Sequence, residues 1–369
     1  MTRVPLVDLR AAHAEVAEEV RLGFDRVIAG TAFIGGAEVS AFEREFAAWC
    51  ALPYCVGVAN GTDALELALR AVGAGPGSEV ILPANSFVAT AEAVVRAGAR
   101  PVLVDCDPVS HLIDPAAALA AVTPATAAVV PVHLYGQQAA VERLAGPGVP
   151  IVEDAAQCHG GARHGDAPGA RGLAATSFYP GKNLGAYGDA GAVVTADEEI
   201  AGQIRLLANH GSDVKYRHDV VGWNSRLDAL QAVVLRAKLA RLTGWNRARR
   251  AAAARYDELL RPLDVRRPVV VDGNEHAWHL YVIRVPGGGR PGRRDRVLAR
   301  LNAAGVAAAV HYPVPIHLTP AFAYLGYRAG ALPHAEAAAA EVLSLPLYPH
   351  ISLDQQEFTA QALAAALKD

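Results

Sequence analysis

From Cys55 to Val152, short apolar runs alternate with stretches of helical periodicity, and no other feature restricts the fold of this chain as much. Cys55 to Ala59, Glu79 to Leu82, Pro101 to Val104, Ala127 to Val132 and Pro150 to Val152 read as strands. Asn60 to Asp63 reads as a turn, and Ala64 to Val72 and Ser86 to Ala97 as helices. Apolar strands joined by helices imply an α/β fold with a mostly parallel sheet covered on both faces, whose strand ends and following loops hold a ligand.

Upstream, Val16, Val20, Phe24, Val27 and Ile28 predict one helix over Arg10 to Ala29. Val39, Phe42, Phe46 and Trp49 predict a second, capped near Ser40 or just before it. Downstream, a polar segment from Ser212 to Arg226 precedes a long helical pattern from Leu227 to Leu260, expected to bridge two domains, 1–245 and 246–369. The smaller C-terminal α+β domain is read as strands at His279 to Val285 and Val306 to His311, a glycine-rich turn at Gly287 to Gly289, a helix ending at Ala304, a proline-rich loop from Tyr312 to Pro320, and helices at Leu332 to Leu343 and Gln355 to Leu367.

With 369 residues, 52% of them hydrophobic, the chain can bury a large core. A net charge of −3 argues against a general nucleic-acid or membrane surface. Met1 to Arg10 has no signal-peptide pattern and no apolar run is long enough to span a bilayer, so a cytoplasmic protein is expected. Cys50, Cys55, Cys106 and Cys158 lack C-x-x-C spacing and read as packing residues in a reducing compartment.

Chemistry concentrates in Ser177 to Asp189, S-F-Y-P-G-K-N-L-G-A-Y-G-D, where Lys182 follows a strand end broken by Pro180 and Gly181. A desolvated lysine has a lowered pKa and a nucleophilic amine suited to an aldehyde; the plainer alternative is a surface turn lysine. Gly61 and Thr62 sit between a strand and a helix, where free N–H groups favour phosphate, although an ordinary capped turn would look the same. Gly73, Gly75 and Gly77 follow a helix and precede a strand, the wrong order for a dinucleotide fingerprint. Asp154 at a strand end needs a cation or several hydrogen bonds, and a protonated pyridine would serve as well as a structural salt bridge. Gln157 is three residues on, within reach of a ring hydroxyl, and Phe87 offers either a stacking face or core packing. His311 and His317 lack the i, i+4 spacing of a zinc site, and no metal is expected.

A phosphate cradle, an aromatic face, a carboxylate and a lysine together describe a pyridoxal phosphate (PLP) site. Seven ordered stretches carry a resemblance: N-G-T-D-A-L from Asn60, P-A-N-S-F-V-A-T from Pro83, P-V-H-L-Y-G-Q from Pro131, E-D-A-A-Q from Glu153, S-F-Y-P-G-K-N-L-G from Ser177, G-W-N-S-R-L-D from Gly222 and H-Y-P-V-P-I-H-L from His311. From about Pro5 to the final helix the chain resembles the sugar aminotransferases of the DegT/DnrJ/EryC1/StrS family, which are fold-type I PLP enzymes.

The resemblance implies that Lys182 bonds to the cofactor aldehyde, Asp154 partners the pyridine nitrogen and Gln157 neighbours the ring hydroxyl. Gly61, Thr62 and Ser177 match phosphate ligands with Asp63 adjacent, and Phe87 matches the stacking aromatic. Asn224 matches an asparagine that reaches the cofactor phosphate of a neighbouring subunit, implying a homodimer with shared sites; as a cap before the long helix it would also make sense. L-glutamate is the implied amino donor. The K-N-L-G-A-Y-G-D form at Lys182 to Asp189 resembles enzymes acting at C3 of dTDP-linked 3-keto-6-deoxyhexoses more than C4 or cyclitol enzymes. Tyr187, Tyr216, His311 and Tyr312 are candidate substrate contacts, and Lys215, Arg217 and Arg226 candidate partners for a pyrophosphate. Ser86 stands where threonine is usual, and Trp278, where the family has a smaller aromatic, is expected to alter the substrate pocket. Related sugar dehydratases replace the lysine, usually with histidine, so Lys182 argues against that class. A non-catalytic PLP-binding regulator is the remaining alternative.

Overall fold

The computed structural model describes residues 4–144, 148–287 and 292–368. The apolar runs form strands β1 (Tyr54–Val58), β2 (Glu79–Pro83), β3 (Arg100–Val104), β4 (Thr126–Val129), β5 (Val152–Asp154), β6 (Ala162–Arg163), β7 (Leu173–Ser177) and β8 (Gly191–Thr195). A sheet in the order β1-β8-β7-β5 and another in the order β3-β2-β4 are joined by parallel bridges Val129↔Ile151 and Val132↔Asp154. The pairs β2–β3, β2–β4 and β5–β7 are parallel, whereas β8 runs against both of its neighbours. The mostly parallel α/β expectation therefore holds.

Helices α1 (Leu9–Ala14), α2 (Ala17–Gly30), α3 (Gly36–Trp49), α4 (Gly61–Ala71), α5 (Val88–Ala97), α6 (Pro115–Ala120), α7 (Glu198–Ala208) and α8 (Ala229–Leu259) complete this part. Strand residues alternate between two cores, as a period of two requires. Val56, Val58 and Val193 pack with Leu65 of α4, Val94 of α5 and Ile204 of α7. Cys55, Ala192 and Val194 face the other way, toward Phe42 and Phe46 of α3 and Leu235 of α8. Phe178, just beyond β7, meets Phe42 and Phe46 edge-on at 5.3 and 5.2 Å, which anchors the chain four residues before Lys182.

The single N-terminal helix expected over Arg10 to Ala29 is two helices. The break lets Val16 bury beside Val20 and Val234, while Glu15 turns to accept from the Trp245 indole at 3.0 Å. Val27 is buried and Ile28 is exposed, so the apolar stripe is narrower than its spacing suggests. Helix α3 begins at Gly36, ahead of the Ser40 cap expected from sequence, because Gly35 adopts φ +66°. The turn expected at Asn60 to Asp63 is already the first turn of α4.

The C-terminal part adds β9 (Asn274–Glu275), β10 (Tyr281–Arg284) and β11 (Val342–Leu345), with α9 (Arg293–Ala303), α10 (Pro333–Glu341) and α11 (Leu353–Leu367). β10 and β11 pair antiparallel over a core that includes Tyr256, Tyr281, Leu301, Leu343 and Leu363. Two expectations fail here. The helix predicted through Leu343 stops at Glu341, where Arg294 donates to the Ala339 and Val342 carbonyls and frees Val342–Leu345 to pair as a strand. The strand predicted over Val306 to His311 is reduced to isolated bridges, Val4↔Val306 and Ala309↔Ser344, as the chain turns to bring His311 and Tyr312 to the sheet. Gly288 and Gly289 of the expected glycine-rich turn lie outside the described residues. Helix α8 runs unbroken through the expected boundary between residues 245 and 246. Its Leu235, Leu239 and Leu242 belong to the sheet core, and its Ala252, Ala253 and Tyr256 to the C-terminal core.

Candidate active site

The N-terminus of α4 lies at the end of β1. Asn60 caps it, its side chain accepting the Asp63 N–H at 2.8 Å, while its carbonyl accepts from Ala64 at 3.0 Å. The N–H groups of Gly61 and Thr62 have no intrahelical acceptor, a standard property of a first turn. A Cβ on Gly61 would lie 2.5 Å from Ser177 Cβ and 3.1 Å from Ser177 Oγ, so glycine is what lets this turn approach the end of β7.

Asp154 ends β5 and is buried, with 6% of its surface exposed. Its Oδ2 accepts from Thr90 Oγ1 at 2.8 Å and its Oδ1 from the Ala156 N–H at 3.1 Å. Thr90 in turn bonds Ser86 Oγ at 2.7 Å, so a serine at position 86 still buttresses the carboxylate. This removes the salt-bridge reading of Asp154: its partners are a hydroxyl and a backbone amide.

Lys182 sits in a turn closed by Lys182 N–H to Tyr179 O and Ala186 N–H to Phe178 O, both 2.8 Å. From behind, the Lys238 ammonium donates to the Gly185 carbonyl at 2.6 Å. Among the described residues, no acceptor bonds Lys182 Nζ. Burial lowers its pKa to about 8, with the Asp154 charge pulling the other way. This is a desolvated amine rather than a surface lysine.

Phe87 is half-exposed at the N-cap of α5, its ring 5.4 Å from that of Tyr312, which removes the core-packing reading. Gln157 accepts the Tyr135 N–H at 2.6 Å and donates to the Tyr312 hydroxyl at 3.1 Å. His311 Nδ1 bonds Ser344 Oγ at 2.8 Å; burial and the nearby Lys182 push this imidazole down to about 4, so it is neutral at physiological pH.

Gly61, Thr62, Phe87, Asp154, Gln157, Ser177, Lys182, His311 and Tyr312 line one cleft of about 710 Å³. Sequence reasoning overlooked Thr90, Asp189 and His279, which line it too. His279 carried no spacing signal.

Eight residues expected at the site, Asp63, Tyr187, Tyr216, Asn224, Lys215, Arg217, Arg226 and Trp278, lie outside this cleft. Asp63 is turned away, its oxygens taken by Arg96 at 2.9 Å and Ser225 at 2.7 Å. The Tyr187 hydroxyl bonds His13, and its ring lies 4.6 Å from Lys238 Nζ. Tyr216 is 84% exposed, with Lys215 over its ring at 5.1 Å. Asn224 lines a second cleft with Arg226, and Asp189 borders both clefts. Arg217 pairs with Asp219 at 3.0 Å. Trp278, expected to shape the substrate pocket, instead stacks on His276 at 4.0 Å and Tyr281 at 5.6 Å in the C-terminal core. His317 pairs with Glu336 at 3.0 Å.

The cleft residues fit pyridoxal phosphate: free first-turn amides beside a glycine that admits no side chain, a buried carboxylate, an aromatic face, and an amine with no acceptor bonded to it. Comparison with known proteins agrees. A model described as the DegT/DnrJ/EryC1/StrS aminotransferase family matches residues 15–364. The dTDP-3-amino-3,4,6-trideoxy-alpha-D-glucose transaminase of Streptomyces venezuelae is 46% identical over 96% of this chain and 93% of its own. A Geobacillus stearothermophilus protein named pleiotropic regulatory protein is 45% identical over 98% of each chain. The crystal structure of S. venezuelae DesV in complex with a ketimine intermediate superposes with a TM-score of 0.96 at 44% identity, covering 100% of both chains. The chain belongs to the DegT/DnrJ/EryC1/StrS aminotransferase family and is a PLP-dependent aminotransferase.

Proposed function

We propose that this enzyme transfers the amino group of L-glutamate to C3 of a dTDP-linked 3-keto-6-deoxyhexose, as a cytoplasmic homodimer serving deoxysugar and antibiotic biosynthesis. The observation that carries the transamination reading is Lys182, desolvated and facing the cleft that also holds Asp154 and the α4 N-terminus. The C3 assignment draws support from the S. venezuelae relative, whose product is a 3-amino sugar by its name. The four free cysteines are all buried, which suits a reducing compartment.

In this reading the Gly61 and Thr62 amides and the Thr62 and Ser177 hydroxyls hold the phosphate. Asp154 supplies the counter-charge to a protonated ring nitrogen, Gln157 meets the ring hydroxyl, and Phe87 covers one face. Bound PLP supplies an aldehyde that captures the amino group and a ring that accepts electrons from the substrate carbon. Lys182 Nζ, neutral in a substantial fraction near pH 8, takes the proton from the amino acid's α-carbon and moves a proton the opposite way in the half-reaction with the sugar. His311 beside it is neutral and so brings no second positive charge next to Lys182. Asn224, in the second cleft, is proposed to serve the phosphate of the partner subunit. Tyr187, Tyr216, His311 and Tyr312 remain the proposed sugar and nucleotide contacts.

Incubating the holoenzyme with glutamate and either a 3-keto or a 4-keto dTDP-sugar, then determining the product by NMR, tests the assignment. The 3-amino sugar is expected, and a 4-amino product would replace C3 by C4. The relative named as a regulator favours one other reading, a PLP-binding protein without turnover. Glutamate that fails to shift the cofactor's absorption from the pyridoxal to the pyridoxamine form would establish it.

Gly61→Ala should weaken PLP binding, because the added methyl must displace Ser177. Overpacking of this kind costs about 1–3 kcal/mol, which, if it falls on the bound state, is a rise in Kd of roughly 5- to 160-fold. Absorbance titration of the apoprotein measures it, and an unchanged Kd would remove Gly61 from the phosphate site.

A further inference from the structure

A chain of buried amides behind the Lys182 turn has only one consistent direction. Asn246 Nδ2 faces the His159 carbonyl at 2.8 Å, and a carbonyl only accepts, so the flip of Asn246 is settled and its Oδ1 is an acceptor. Asn183 Nδ2 faces that Oδ1 at 3.0 Å and the Ala277 carbonyl at 2.9 Å, so the flip of Asn183 is settled too. Asn183 therefore offers Oδ1 to His279 Nδ1, 3.3 Å away, and the imidazole must donate there. A neutral ring that donates from Nδ1 carries its lone pair on Nε2.

His279 lines the same cleft as Lys182, and Asn183 is the residue after that lysine. The groups facing the imidazole from its surroundings are Lys182, Arg249, His311 and His159. Arg249 of α8 donates to the backbone carbonyls of Trp278, His279 and Leu347, which puts a cation behind the ring. Burial and these charges hold His279 far below the ordinary histidine range, hence neutral. Among the described residues, Asp154 is the carboxylate acting on Lys182, whose Nζ has no bonded acceptor when it carries a third proton.

We propose that His279, locked in its Nδ1–H tautomer by Asn183, is a positioning residue whose Nε2 lone pair accepts a hydrogen bond from the Lys182 ammonium. The pair steadies Nζ during the interval in which it holds the transferred proton, and lets the neutral amine swing free once the proton leaves. The proposal rests on the role assigned to Lys182 above and adds the group that receives its N–H.

Competitive labelling of the apoprotein with acetic anhydride, resolved by peptide mass spectrometry, reads the titration of Lys182 without the cofactor. An acceptor for the ammonium raises its pKa, so removing the acceptor lowers it. Burial and Asp154 alone hold Lys182 at about 8, so with the His279 acceptor the wild-type midpoint is expected above that. His279→Leu should lower it by about one to two pH units, given the usual strength of hydrogen bonds to charged groups. His279→Gln keeps an acceptor oxygen and should restore most of the difference, which a merely space-filling role would not require. Imidazole 15N shifts of wild-type protein supply an independent reading, with Nδ1 expected protonated and Nε2 not. A midpoint that stays or rises in His279→Leu, or an Nε2–H tautomer, overturns the proposal. PLP uptake by the wild type, followed by absorbance, separates the two levels: uptake with an unmoved midpoint refutes the pairing alone, whereas no uptake refutes the function proposed for the cleft.

Discussion

Lys182→Ala is expected to leave a folded protein with essentially no transaminase activity. The turn is closed by the backbone bonds Lys182 N–H to Tyr179 O and Ala186 N–H to Phe178 O and braced by Lys238 on the Gly185 carbonyl, none of which uses the Lys182 side chain, so truncating it removes no structural partner. What disappears is the amine. Loss of proton transfer alone accounts for a fall of about 10²–10⁴-fold, and loss of the covalent link to the aldehyde adds to it. Borohydride should attach PLP irreversibly to the wild type at Lys182 and not to the variant, as read by peptide mass spectrometry. Glutamate-dependent turnover measured alongside should vanish. Retained steady-state activity in the variant would end the proposed mechanism.

Asp154→Asn should separate reactivity of the lysine from turnover. Asn retains an acceptor for the Thr90 hydroxyl, at the cost of the bond from the Ala156 N–H, so the site should persist. The negative charge is lost, and with it the counter-charge proposed to keep the cofactor ring protonated. Removal of one preorganised electrostatic partner typically costs about 10²–10³-fold in kcat. The sign on Lys182 runs the other way from activity. Asp154 favours the ammonium, so neutralising it should lower the Lys182 midpoint, and the apoprotein amine should label faster at a given pH. A more reactive lysine in a nearly inactive enzyme is the expected pairing. Near-normal rates would show that the ring nitrogen is tuned by another group.

Local physics explains what could be read before the fold was known. The strands at Cys55, Glu79 and Pro101 are apolar on both faces, and their boundaries came within one or two residues because turn residues flank them. Short segments fared worse. Val342–Leu345 continues an alanine-rich helix without a break in composition, and it becomes a strand only because β10 offers it a partner and Arg294 ends the helix. Val16 interrupts the N-terminal helix for a similar reason, since its burial against α8 outweighs an unbroken run of local hydrogen bonds. Trp278 has the composition of a pocket residue, yet its stacking on His276 places it in the core instead.

The candidate site divides along the same line. Lys182, Asp154, Gly61, Thr62 and Phe87 were legible because each sits at a strand end or helix start, and motif spacing reports such junctions. Thr90, His279 and the Asn246–Asn183 chain were not. Their roles depend on partners 64, 96 and 63 residues away in sequence, respectively, and nothing in local periodicity records which distant groups meet.

The sequence by itself determined the alternation that builds the sheet and, through the motifs that carry its resemblance, the family, the cofactor and the lysine proposed to meet it. These are properties of residue type and short spacing. Only the tertiary structure decided how that lysine is tuned: burial lowers it, Asp154 opposes, and an imidazole of assigned tautomer sits in the same cleft. The reason is that pKa and tautomer follow from desolvation and hydrogen-bond direction, which are defined by what the fold brings together and not by what is adjacent along the chain.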